Sequence, residues 1–366
     1  MSNPLARAIE EYEGKNGWKR AQTAEYLGVE LRTLYRWMSR KSPLTDTREL
    51  RRIALLLGIE PERLIAGAFS RPLAPEALEK TIETVWRLIK ESRYVEARAT
   101  IERLIDEIST HIVSDTDPLL PFLAKARQCA GHVTSAMSRT HALHTPLHHY
   151  HEMEEVARLI QDDTLLNIAL TYQGDMLRRQ GNVQEALTLL EAAKDTTPQA
   201  DPSARGNALQ LLGRAQLQCG KRSGFLSSMT EATELLDAIN PEADVTYGFY
   251  CPGTVYEEYA RSYAVMGEHQ KALDALDKAE QSLPAMGHWE TMLKTARAMV
   301  LVRAGDITSG LPLAIEAAQL CCKLGDLRHL ERMANLQRYL DHRAHDFAKA
   351  GAQLRDVLDG PTEYAG

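Results

Sequence analysis

Apolar residues recur with helical spacing along most of the chain, and no segment sustains the period-two alternation of a half-buried strand. The pattern predicts an all-α fold. LARAIEEYE, within residues 1–13, predicts a first helix that stops before Gly14 and Gly17. Arg20–Leu27 and Leu31–Ser39 predict two short helices about a sharp turn at Gly28. Thr47–Leu64, TRELRRIALLLGIEPERL, predicts a helix ending at Gly58, then a short final helix after Pro61. Ser70–Pro75, SRPLAP, carries two prolines within four residues and breaks helix continuity, so it reads as a linker. Beyond it ALEKTIETVWRLIKE and VEARATIERLIDEI flank a turn at Arg93–Tyr94, and 76–107 and 119–160 fit two degenerate helix pairs. At the far end Arg328–Leu340 and His345–Leu358 read as a terminal pair that caps the chain.

The short pair around Gly28 carries a specific chemistry. Ala24 is small where two helices would cross, and Gly28 takes the left-handed turn that a side chain resists. Val29 plugs the turn, while Leu34 and Trp37, three apart, face inward. That arrangement turns Arg32, Thr33, Tyr35, Arg36 and Ser39 outward, with Arg40 and Lys41 following and Arg20, Gln22 and Thr23 at the start of the preceding helix. A long, polar, cationic outer face suits the major groove: Arg32 and Arg36 lie one turn apart and reach a guanine edge or a phosphate. Residues 18–64 resemble the helix-turn-helix domain of the Cro/CI repressor class, on LGVELRTLYRW and LRRIALLLGIEPERLI. Glu30 departs from that resemblance, since a short capping residue is usual there and a carboxylate repels phosphate.

The rest of the chain repeats itself. Windows 174–193, 213–232, 260–279 and 296–318 align on a turn glycine: Gly181, Gly220, Gly267 and Gly305, spaced 39, 47 and 38 residues. A small residue (Gly174, Gly213, Ala260, Ala298) precedes each by seven, and an alanine (Ala193, Ala232, Ala279, Ala317) follows by twelve. Two windows carry Glu185–Leu187 and Lys271–Leu273 as EAL and KAL after the glycine. The spacing resembles the tetratricopeptide repeat, nominally of 34 residues, with longer helices or connections. Four windows with shared offsets imply stacked helix pairs, none of which buries its apolar face alone. The expected division is therefore a helix-turn-helix domain over 1–69, a linker over 70–75, a tetratricopeptide-like α-solenoid over 76–342, and a capping helix and tail over 343–366.

Charge changes the picture only when it is split. The chain carries −7 overall, but residues 15–52 hold ten Lys/Arg against four Asp/Glu, and residues from 68 onward hold 31 against 41. The basic footprint is confined to the N-terminal domain, and the acidic remainder implies that two such domains act together to bind DNA usefully. No apolar run approaches a membrane span, and MSNPLARAIEEYEG has no secretory apolar core. The five cysteines show no CxxC spacing, which fits free thiols in a reducing, cytoplasmic setting. No phosphate-binding glycine loop, HExxH or GxSxG occurs, so neither an enzyme nor a cofactor is expected, and no metal. The run HALHTPLHHYHEMEE sets His141, His144 and His148 on one face if helical. Pro146 breaks that helix, and the run reads as a polar loop and helix start. Glu154–Glu155 and Asp162–Asp163 read as solvated helix ends.

In such an array the first helix of each pair lines the concave side. Counting from the small residue, that side receives Ile168, Thr171, Asp175 and Arg178; Asn207, Gln210, Arg214 and Leu217; Thr254, Glu257, Arg261 and Ala264; and Met292, Thr295, Met299 and Val302. Asn and Gln bond a peptide backbone in both directions, and Arg178, Arg214 and Arg261 clamp carboxylates. Candidate peptide contacts are thus Thr171, Asp175, Arg178, Asn207, Gln210, Arg214, Glu257 and Arg261. Tyr247, Tyr250 and Trp289 suit ligand anchors or core packing equally.

A Cro/CI-like DNA reader joined to a tetratricopeptide-like array resembles the RRNPP family of cytosolic peptide-pheromone receptors. That resemblance implies a homodimeric regulator that binds an operator in double-stranded DNA and is re-set by a short peptide in the groove. Two other readings stand beside it: a DNA-tethered adaptor whose array binds a partner protein, and a ligand-independent repressor dimerised by the array.

Overall fold

The computed structural model describes residues 4–39, 44–61, 64, 73–112, 114–240 and 243–359. Among them are 17 α-helices and no strand. The chain divides into two compact units, one of Met1–Ser135 with His141–Cys251 and one of Ala136–Thr140 with Pro252–Gly366. The boundary at Cys251 therefore lies inside the stretch expected to form one array.

In the first unit, α1 (Pro4–Asn16), α2 (Arg20–Tyr26), α3 (Leu31–Met38) and α4 (Thr47–Leu57) surround a core of Leu5, Ile9, Ala24, Leu27, Leu34, Leu50, Ile53 and Leu64. Trp37 and Val29 pack against it, as their spacing requires. The α2–α3 turn falls on Gly28, at φ 68. Asp46 caps α4 by accepting from the Arg48 and Glu49 amides at 2.9 and 3.3 Å, and left-handed Gly58 closes it. Arg52 donates to the Leu27 carbonyl at 2.8 Å, satisfying an acceptor that the end of α2 leaves over.

The first helix runs two residues past Gly14, against expectation. The Glu11–Lys15 pair at 2.8 Å and the bond from Asn16 Nδ2 to the Tyr12 carbonyl, also 2.8 Å, hold its last turn, and the reversal passes to Gly17 at φ 64. Most of the expected fifth helix and the linker residues 70–72 lie outside the described residues.

The same unit continues with α5 (Pro75–Lys90), α6 (Tyr94–His111), α7 (Leu120–Ala136) and α8 (His144–Ile160). The paired windows follow: α9 (Asp163–Gln180) with α10 (Val183–Thr196), and α11 (Pro202–Gln218) with α12 (Arg222–Leu235). The second unit holds α13 (Pro252–Val265) with α14 (His269–Ser282), α15 (Gly287–Arg303) with α16 (Ile307–Leu324), and α17 (Leu327–Leu358). Within each unit, successive pairs pack on one another in the tetratricopeptide-like manner.

All four window glycines are left-handed, at φ 93, 74, 77 and 91 for Gly181, Gly220, Gly267 and Gly305. The four alanines twelve residues on are wholly buried. A Cβ on Gly174 would meet Leu190 Cγ at 2.7 Å, which is why the crossing needs glycine there.

The expected terminal pair is instead one 32-residue helix, α17. Between Leu340 and His345 stand Asp, His, Arg and Ala, none of which stops a helix, and Gln337 bonds Asp341 across that stretch at 2.6 Å. The described residues include no helix long and apolar enough to cross a membrane.

Candidate functional site

On the helix-turn-helix, Arg32, Tyr35 and Arg36 are exposed on one side of α3, with Thr33 and Ser39 half-buried at its margins. Three other expected DNA contacts have different surroundings. Thr23 is fully buried beside Ala24. Gln22 is exposed, but its Oε1 accepts from the Lys19 amide at 2.8 Å and so starts α2. Arg20 places Nε 3.0 Å from Glu13, contacts the Met38 sulfur and lies 5.8 Å from the Tyr35 ring, tying α1 to α3. Arg40 and Lys41 lie outside the described residues. The outward cations on α3 are therefore Arg32 and Arg36. Glu30 is exposed and makes no side-chain cap to α3.

The expected groove positions fall in both units. In the first, Thr171 and Asp175 on α9 and Asn207 and Gln210 on α11 are all buried to 5 % exposure or less. Thr171 Oγ1 and Asn207 Nδ2 have no hydrogen-bond partner among the described residues. The arginines are engaged within the chain. Arg178 bonds Asp175 at 2.8 and 3.1 Å and Gln218 at 3.2 Å, while Arg214 approaches the same carboxylate at 3.6 Å. Two guanidiniums thus converge on one buried acid. In the second unit, Arg261 bonds Glu257 at 2.6 Å and Glu258 at 2.5 Å, and Arg332 of α17 reaches Glu257 at 2.9 Å. This is a charge-balanced, largely buried network.

Tyr250 and Trp289 are core residues. Tyr247 stacks on Trp86 of α5 with centroids 4.6 Å apart, and burial raises its phenol pKa.

The histidine-rich run starts α8 at His144, two residues before Pro146, so proline sits in the first turn rather than breaking the helix. His141, His144, His148 and His151 are exposed. His149 is buried beside Arg127, Nδ1 to Nη1 3.2 Å, and burial with that neighbouring cation lowers its pKa to about 4. Asp162, expected as a solvated helix end, caps α9 through the Leu165 amide at 2.9 Å.

One cluster had no sequence signal: His288, Asp326 and His329, all buried, offer three metal-type donor atoms within 4.8 Å of one another. Asp326 Oδ1 already caps α17 through the His329 amide at 3.0 Å, and Oδ2 holds His329 Nδ1 at 2.7 Å. Both carboxylate oxygens therefore serve the start of the helix. Burial lowers the His329 pKa, and the two hydrogen bonds from His329 favour the charged Asp326 carboxylate and hold it below the usual range despite its burial.

The chain is similar to a solved Rap protein. That structure, a Rap protein complexed with Competence and Sporulation Factor, is 15 % identical, covers 94 % of this chain and 96 % of its own, and superposes with a TM-score of 0.49. The apo form of the competence regulator ComR from Streptococcus vestibularis is 14 % identical over 81 % of this chain and 98 % of its own, TM-score 0.42. PilF of Pseudomonas aeruginosa is 16 % identical over 71 % and 98 %, TM-score 0.38. No protein-family profile and no curated protein matches the sequence.

Proposed function

We propose that this chain is a cytoplasmic DNA-binding transcriptional regulator of the RRNPP type. Its repeat region senses a short peptide, and two copies bind an operator together. The observation that carries the reading is the outer face of α3, where Arg32 and Arg36 stand exposed on a helix whose inner face is fixed by Leu34 in the domain core. A cationic second helix on a close-packed helix-turn-helix has the shape and charge to enter a major groove.

The peptide half of the reading rests on α9 and α11. The Thr171 hydroxyl and the Asn207 amide keep hydrogen-bonding capacity for a backbone. Beside them, Arg178 and Arg214 converge on Asp175 and supply charge for a ligand carboxylate. Pairing of two copies is supported by the end of α17, where Phe347, Leu354 and Leu358 form an exposed apolar stripe at helical spacing.

The test combines selection from random DNA with mobility shift on the selected sites, with and without short peptides extracted from the medium of the source culture. The reading requires a selected sequence and a peptide fraction that changes the shift and raises the melting temperature. Sequence-specific binding that no peptide alters favours the adaptor or constitutive repressor. Absence of any selected sequence overturns the proposal.

A further inference from the structure

A recess in the first unit is lined by Trp86 and Lys90 of α5, Gln128 and His132 of α7 and Tyr172 of α9, and the chain fills it from within. The filler is the connection between α12 and α13, which has no regular secondary structure from Asp244 to Cys251. Irregular connections of this length are uncommon between stacked helices, where links of a few residues suffice, and those that occur are often functional.

The contacts are those by which a receptor holds a peptide. The Tyr247 ring lies flat on Trp86, 4.6 Å between centroids and 15° between planes. Phe249 packs 4.1 Å from His132 and 5.6 Å from Trp86, while His132 meets Trp86 and Tyr172 edge-on at 5.2 and 6.0 Å. Gln128 Nε2 donates to the Val245 carbonyl at 3.0 Å. Lys90 Nζ lies 3.6 Å from the place a Gly248 side chain would occupy, and the Asp244 carboxylate acts electrostatically on it. Aromatic plates, an amide donor and a cation thus meet one short segment.

The segment is shaped to present itself. Asp244 accepts from the Thr246 and Gly248 amides at 2.8 and 2.6 Å and from the Thr246 hydroxyl at 2.6 Å. That turn aims Tyr247 and Phe249 at α5 and α7. Tyr250 is the fixed end: it packs on Gly206 and donates to the Ala232 carbonyl.

We propose that this recess is a subsite for an aromatic side chain of a short peptide, and that Asp244–Phe249 is a built-in occupant which an incoming peptide displaces. The class of ligand follows from what the recess now holds. It is an aromatic residue next to a small one, with an accepting carbonyl two residues earlier. This deepens the peptide-sensing reading and rests on it.

The probe is a labelled, end-blocked hexapeptide of the occupant's sequence, Asp-Val-Thr-Tyr-Gly-Phe, titrated by fluorescence anisotropy against three full-length chains. In the native chain the tethered segment competes at an effective concentration in the millimolar range, so the probe binds weakly. In Tyr247→Ala/Phe249→Ala the recess is open, and binding is expected to tighten by about tenfold or more, because the competent fraction is no longer divided by self-occupancy. Adding Trp86→Ala to that variant is expected to abolish the gain, and a scrambled hexapeptide binds none of the three.

If the double variant loses its helical circular dichroism, Phe249→Leu replaces it and the same ordering is required. A folded variant that binds the probe no better than the native chain overturns the proposal and marks the segment as fixed packing. Culture peptides that bind every chain equally, Trp86→Ala included, overturn the subsite but leave peptide sensing. A probe that binds the opened recess while no culture peptide binds any chain supports the subsite and overturns peptide sensing.

Discussion

The contact between Arg7 and Asp117 makes a quantitative claim about how the helix-turn-helix is held on the repeats of the first unit. Arg7 Nη1 lies 2.6 Å from each oxygen of Asp117, in the α6–α7 connection. The Asp117 side chain is fully buried and that of Arg7 only 16 % exposed. Asp117 also accepts from the Leu119 amide at 3.0 Å. The neighbouring Lys15–Asp115 pair, 3.3 Å apart with both side chains mostly exposed, contributes at most about 1 kcal/mol.

Asp117→Leu therefore strands a largely buried guanidinium and is expected to cost about 3–5 kcal/mol. Arg7→Met strands a carboxylate that keeps the Leu119 amide, so it should cost less. The pair Arg7→Met/Asp117→Leu leaves no buried charge unpaired, only the Leu119 amide without its acceptor, and should cost less than the sum of the singles, with a coupling of about 2 kcal/mol or more. Urea unfolding of the four chains by circular dichroism measures the cycle. Hydrogen exchange is expected to show the loss concentrated in residues 4–57 and 112–120. A coupling below about 0.5 kcal/mol, or protection lost evenly over the unit, refutes the assignment of this pair as the clasp.

Four further outcomes follow from the same reasoning. Arg36→Ala is expected to weaken specific DNA binding by about 1–3 kcal/mol and to relax preference at one base position, read by repeating the random-DNA selection. Asn207→Ala with Arg214→Ala should keep the melting temperature within a few degrees, because Arg178 still holds Asp175 at 2.8 Å, and should abolish the peptide response in the mobility shift. Gly174→Ala forces a Cβ to 2.7 Å from Leu190 and should cost about 1–3 kcal/mol, whereas Gly213→Ala, whose nearest neighbours lie at 3.4 Å, should be neutral or stabilising by up to about 1 kcal/mol; paired thermal melts check the contrast. Because His149 is held neutral with a pKa of about 4, the unfolded chain binds the extra proton as pH falls below about 6.5. Stability should therefore drop between about pH 6.5 and 4, by about 2–3 kcal/mol in all, and His149→Phe should remove that part of the slope in melts across the range.

The parts of the fold that were legible in sequence are those where packing leaves one kind of residue. Gly28 and the four window glycines were readable because a left-handed turn at a fixed offset from a close crossing admits little else. The buried alanines twelve residues on follow from the same crossing. The single helix α17 was missed because periodicity finds faces and not continuity: nothing at 341–344 stops a helix, and nothing there needed to start one.

The arginines of the expected groove already have acidic partners within the chain, and the spacing shows why. Asp175 and Arg178 stand three apart and Glu257 and Arg261 four apart, spacings that close on one helix face before any ligand arrives. The aromatic recess left no trace in local pattern, since Trp86 and Tyr247 are 161 residues apart and Tyr247 lies in a stretch without periodicity.

In the receptor proposed above, the two features of the first unit would act in opposite directions on a peptide, and selectivity would follow from the opposition. There the polar floor at Thr171 and Asn207 would reward any extended backbone that donates and accepts in register, with a net gain of about 0.5–1.5 kcal/mol per bond. Backbones are common in a cell, so the floor alone would hold unrelated peptides weakly and without discrimination. The recess over Trp86 and His132 is already filled by an aromatic segment at high effective concentration. A peptide without a matching aromatic gains the floor but leaves that segment where it is, and the free and bound chains then differ little in structure. One that carries the aromatic would evict Tyr247 and Phe249 and so free the α12–α13 connection. Only the second ligand interacts differently with the two arrangements, and only such a difference shifts an equilibrium between them.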